Sequence, residues 1–110
     1  RRGDYWVQDN RSAHYNTLRS KSAGGFRWWL PSSHRNASER LRDYRKRYVW
    51  SVVVDFNRPP GAVRYRGSGI FLHANGRGAT AGCVSVPAAF IRFVVKHLRK
   101  EKQSVIAIGR

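Results

Sequence analysis

At 110 residues, with 41% hydrophobic and 13% aromatic content, the chain is expected to form one globular domain with one core, and no second domain is expected within it. Its 22 Lys and Arg against 6 Asp and Glu leave a formal net charge of +16, which favours anionic partners: nucleic acid, an acidic membrane face or an anionic cell-wall polymer. The single Cys excludes an internal disulfide, and the most apolar stretch, Tyr48 to Phe56, falls short of the ~20 residues that a membrane span takes. Arg outnumbers Lys by 17 to 5, so basic residues on solvated faces under an arginine-rich coding bias would give the same total. The chain opens on Arg1-Arg2 and holds no Met, and is expected to be cut from something longer.

Residues 1 to 47 are polar and interrupted by Gly24-Gly25, Pro31 and Ser32-Ser33, with Trp6, Trp28 and Trp29 dispersed among them. They read as long loops pinned by aromatics. Ser38 to Arg47 reads either as a short helix capped by Ser38 or as a solvated loop. Tyr48 to Phe56 is dense in β-branched and aromatic residues and ends in Asn57-Arg58-Pro59-Pro60-Gly61, so a central strand is expected there. A second strand is expected over Gly67 to His73, with His73 at its end facing the loop Ala74-Asn75-Gly76-Arg77-Gly78.

After Cys83-Val84-Ser85-Val86, Pro87 suits the first turn of a helix, and Phe90, Ile91, Val94, Val95 and Leu98 recur at helical spacing through residues 88 to 99. Lys96, Arg99 and Lys100 near its end suit the negative pole of the helix dipole. Ser104 to Gly109 is expected to close the chain as a strand.

The segment from His73 to Cys83 carries the chemistry. A nucleophilic Cys needs a base or a cation beside its thiolate, and His fills either role near neutral pH. The intervening glycines let the loop fold the two side chains together, and Gly82 lets an acyl group approach the backbone. N–H groups around Gly82 and Cys83 could meet an oxyanion, and the following helix N-terminus favours a thiolate. From residue type alone the bland readings stay open: a free Cys is commonly a small buried hydrophobe, and a strand-end His is commonly structural. His14, His34 and His97 form no zinc spacing with Cys83, so neither a metal nor another cofactor is expected.

At Ile70-Phe71-Leu72-His73 and Thr80-Ala81-Gly82-Cys83-Val84-Ser85-Val86-Pro87 the sequence resembles the L,D-transpeptidase (YkuD-type) catalytic domain, especially an actinobacterial-looking branch. Weaker likenesses lie at Tyr5 to Asp9, Tyr15-Asn16, Asp55-Phe56-Asn57 and Val105 to Gly109. The chain departs from the wider family in having Ala81 where His usually precedes Gly-Cys, and in a shorter His-to-Cys interval. The resemblance implies a single, partial catalytic domain over 1–110, lacking N-terminal strands. It implies a mainly β (α+β) fold, a mixed β-sandwich with one amphipathic helix after the Cys. It also implies a cysteine acyltransferase that cross-links peptidoglycan stem peptides through a thioester, outside the cytoplasm. Cys83 is then the nucleophile and His73 its base, with Gly82 at the oxyanion and Thr80, Arg77, Asn57 and Tyr15 as substrate-binding residues. The expected partners are stem peptides and anionic wall polymers rather than nucleic acid. Two rivals remain: a basic nucleic-acid-binding module using Arg clusters and Trp28-Trp29, and a catalytically dead wall-binding domain on the same fold.

Overall fold

The computed structural model describes residues 3–44, 48–77, 79–99 and 101–108. Six short strands form two three-stranded sheets, followed by one helix. The first sheet joins β1 (Asp4–Trp6), β2 (Leu18–Ser20) and β3 (Glu39–Arg40) in the order β2-β1-β3, all antiparallel. The second joins β4 (Ser51–Val53), β5 (Phe71–Ala74) and β6 (Val84–Val86) in the order β4-β5-β6. Here β4 is antiparallel to β5, whereas β6 runs parallel to it. The fold is therefore α+β, with more strand than helix and one sheet mixed, as the sequence implied.

Side chains alternate across a strand, and this sets the layers. Trp6 leaves the first sheet and meets Phe71 of the second edge-on, with ring centroids 4.9 Å apart. Phe71 and His73 thus face the first sheet, whereas Leu72 faces the other way. There, α1 (Ala88–His97) lies against β5 and β4 with Ile91 fully buried. On the far side of the first sheet Tyr5 and Val7 pack with Phe26.

The N-terminal stretch expected as loops is thus a sheet, because Tyr5, Trp6 and Val7 bury their side chains on both its faces. Neither reading of Ser38 to Arg47 holds over its described part. Glu39 and Arg40 pair with β1, a 3₁₀ turn follows at Leu41–Tyr44, and Ser38 Oγ accepts the Gln8 N–H at 3.1 Å instead of capping a helix. Arg45, Lys46 and Arg47 lie outside the described residues. The apolar run after them yields only the edge strand β4; β5 takes the central place, its first three residues all buried.

Pro87 stands just before α1, which ends two residues sooner than its periodicity predicts. Arg99 donates to the carbonyls of Lys96 and Leu98 at its end, while Lys100 lies outside the described residues. The closing strand is not formed: Val105 and Ile106 line a cavity of about 360 Å³ with Phe90, Val94, Leu98 and β4. Strand composition expresses a fit to a pleated surface, and residues 103–108 have no ladder partner among the described residues. Gly109 falls outside them.

Candidate active site

The parallel pairing of β5 and β6 positions the site. Leu72 pairs with Val84 and His73 with Ser85. Paired residues share a face, so Cys83, one step before β6, falls beside Phe71 on the face that carries His73. Tyr48 provides an independent check: its ring lies against both Phe71 and His73, at centroid distances of 5.2 and 5.4 Å, and a charge on Cys83 acts on its hydroxyl. His73 is 3% exposed and sits one residue inside the strand end.

The imidazole is oriented by its own backbone. His73 Nδ1 lies 2.7 Å from the Ala74 carbonyl. A carbonyl oxygen only accepts, so Nδ1 carries the proton and Nε2 is the basic nitrogen. The Cys83 thiol is half-buried and donates to the Gly69 carbonyl at 3.3 Å.

The turn before β6 is tightly specified. Gly82 has φ 131°, where a Cβ would also meet Ile70 Cδ1 at 3.2 Å. Thr80 Oγ1 donates to the Cys83 carbonyl at 2.5 Å and so braces the main chain at Cys83. Arg77 is exposed in the loop after β5, and Gly78 lies outside the described residues.

Tyr15 and Asn57, expected to contact substrate, use their polar groups to hold the 57–67 loop. The Tyr15 hydroxyl donates to the Gly67 carbonyl at 3.0 Å. Asn57 Nδ2 donates to the carbonyls of Val63 and Gly67, and its Oδ1 accepts the Val63 N–H. The turn holding Thr80 and Gly82 leads into Cys83 on the side of β5 that carries His73, while Tyr15 and Asn57 bind the 57–67 loop.

Four residues that sequence reasoning passed over shape this region. Asn16 is 1% exposed. Its Oδ1 accepts from Trp6 Nε1 at 2.7 Å and from the Gly69 N–H at 2.9 Å, while Nδ2 donates to the carbonyls of Phe56 and Asn57. Gly69, at φ 66°, thereby holds its carbonyl toward Cys83. Glu39 leaves β3 on the same face as its partner Trp6 and accepts the Tyr48 hydroxyl at 3.0 Å. Burial raises the Glu39 carboxyl above its ordinary range, while the Tyr48 bond and the neighbouring His73 pull it back. Burial, reinforced by the Glu39 charge, pushes the Tyr48 hydroxyl well above its usual range. The signal for Gly69 was Gly67-Ser68-Gly69 directly before a strand; nothing local marked Glu39.

A cavity of about 410 Å³ opens beside the nucleophile turn, where Ala81 joins Glu39, Asp43, Tyr44, Ser38 and Trp28 in its wall. It is large enough for a peptide side chain and reaches the residue two before Cys83. Among the described residues no group of His, Cys, Asp and Glu is arranged to hold a metal ion, and no helix is long and apolar enough to cross a membrane.

Comparison with known proteins adds one finding. Searches of curated proteins and of solved structures return no match. A family model described as the L,D-transpeptidase catalytic domain, YkuD, matches residues 2–106. That span holds both sheets, the helix and the His73–Cys83 pair, and the chain belongs to the L,D-transpeptidase catalytic-domain family.

Proposed function

We propose that the protein is a cysteine acyltransferase acting on peptidoglycan stem peptides, with Cys83 as nucleophile and His73 as its base. The observation that carries the reading is the β5–β6 register, which sets both residues on one face, together with the Ala74 carbonyl that leaves His73 Nε2 basic. Family membership supports the substrate class.

The thiol turns from Gly69 and gives its proton to His73 Nε2. The thiolate then attacks the donor carbonyl, and N–H groups at Gly82 and Cys83 meet the oxyanion. Collapse expels the terminal D-residue, whose amine takes the proton from His73, and leaves a thioester on Sγ. An amine of a second stem attacks the thioester, gives its proton to His73 and releases the thiolate; water in its place yields hydrolysis. Thr80 holds the nucleophile's residue in place, and this reading gives Arg77, exposed in the loop after β5, to the donor stem. The net charge of +16 draws the enzyme to anionic wall polymers outside the cytoplasm.

The nucleic-acid reading needs open indole faces. Trp28 has the Lys21 ammonium 3.6 Å above its ring and Trp29 edge-on beside it, so one of its faces is taken, whereas Trp29 is 62% exposed. The wall-binding reading without catalysis draws on the thiol's bond to Gly69 instead of His73. Intact-mass analysis after incubation with a tetrapeptide stem or a carbapenem separates these readings. The expected result is an adduct on the wild type, absent in Cys83→Ala and slowed by about 10²-fold or more in His73→Ala. No adduct on folded wild type overturns the acyltransferase.

A further inference from the structure

Tyr48 and Glu39 form a second layer behind the His73 ring, contributed from outside β5 and β6. Glu39 comes from β3 in the opposite sheet, and Tyr48 from the segment just before β4. The Tyr48 hydroxyl donates to Glu39 Oε1 at 3.0 Å, and its ring meets the His73 ring edge-on. Tyr44 stacks on the outer face of Tyr48 at 5.2 Å, and Phe71 flanks it. Glu39 is thus a half-buried carboxylate bound to a hydroxyl whose ring lies edge-on against the imidazole and is packed by two further aromatics.

We propose that Glu39, held by the Tyr48 hydroxyl, is a positioning residue that stabilises the charged form of His73 while Cys83 is a thiolate. The assignment rests on the acyltransferase reading and extends it. Among the described residues, the titratable groups around His73 are Glu39 from β3, Tyr48 before β4, Cys83 from the turn before β6, and Tyr44 beyond Tyr48. When the proton passes from Sγ to Nε2, a positive charge appears in a site 3% exposed, where little water can stabilise it. A carboxylate behind the ring offsets that cost. The Glu39 carboxyl lies close enough to His73 to feel its charge, so a carboxylate there favours the imidazolium. As pH falls through the raised range of Glu39 the carboxylate takes up a proton, and this support is lost on the acid side.

The tests are Glu39→Gln, which keeps shape and removes charge, and Tyr48→Phe, which keeps the ring and removes the hydroxyl that holds Glu39. The readout is the rate of Cys83 alkylation by iodoacetamide against pH, which needs no wall substrate. At about pH 7 Glu39→Gln is expected to react about fivefold more slowly than wild type, with Tyr48→Phe between them. At about pH 10, above the ordinary thiol range near about 8.5, the three rates converge. Equal rates at every pH, or a slowing of the same size at every pH, would overturn the assignment, the second outcome marking Glu39 as a structural spacer. If Glu39→Gln does not fold, Tyr48→Phe alone decides by the same criterion. An unreactive donor stem with normal alkylation profiles would instead count against the acyltransferase reading, so the two failures are distinguishable.

Discussion

Asp9 shows how one buried charge can organise a loop-rich region. It is 1% exposed and accepts Arg27 Nε at 2.8 Å and Nη2 at 2.5 Å, with the N–H groups of Arg11 and Arg27 completing the set. The Arg27 hydrogen bond, above all, holds its carboxyl down at about 2. A depressed carboxyl contributes stability above the unfolded-state value and loses it as pH falls through the folded one. That contribution is worth about 2 kcal/mol, present above about pH 4 and fading toward pH 2. Asp9→Asn is expected to lower the melting temperature at pH 7 by roughly 10 °C. The gap to wild type should narrow on acidification to pH 2, and calorimetry at the two pH values checks both statements.

Among the elements, β5 is held by ladders on both sides and, just ahead of its start, by the segment around Asn16. Asn16, with φ 59°, joins Trp6 of β1, the Phe56-Asn57 turn and Gly69 in one set of hydrogen bonds. Removing that amide leaves the Trp6 and Gly69 donors unpaired in a buried site, at about 1–3 kcal/mol each. Asn16→Ala is therefore expected to cost about 2–4 kcal/mol in urea unfolding. It should also change Cys83 reactivity, because the Gly69 carbonyl that receives the thiol loses its anchor. A stability loss below about 1 kcal/mol would show that the joint is not needed.

Across the protein as a whole, the net charge of +16 belongs to attraction and not to chemistry. Binding to an anionic wall polymer should weaken steeply as salt shortens the Debye length from about 10 Å at 0.1 M to about 3 Å at 1 M. Cys83→Ala should bind as wild type does at every salt concentration, measured by co-sedimentation. Salt-independent binding would assign attachment to a shaped pocket instead.

Much of this protein could be read along the chain, because it is carried by neighbours in sequence. The strand–loop–turn between Phe71 and Val86, the need for Gly82, and a helix whose apolar residues recur every three to four positions all follow from local spacing. So does the pairing of His73 with Cys83 as candidates. Tertiary contacts decided the rest. Val105 to Ile108 has strand composition and no ladder partner among the described residues, while Asp4-Tyr5-Trp6, in a polar stretch, becomes the central strand of a sheet. The bonds from Tyr15 to Gly67 and from Asn57 to Val63 and Gly67 join segments that no local spacing relates. Glu39 stands 34 positions before His73, and the packing of the two sheets brings it to Tyr48, whose ring lies against the imidazole. Local spacing specifies which groups a segment offers, but whether a carboxylate meets an imidazole depends on packing between segments that no periodicity records.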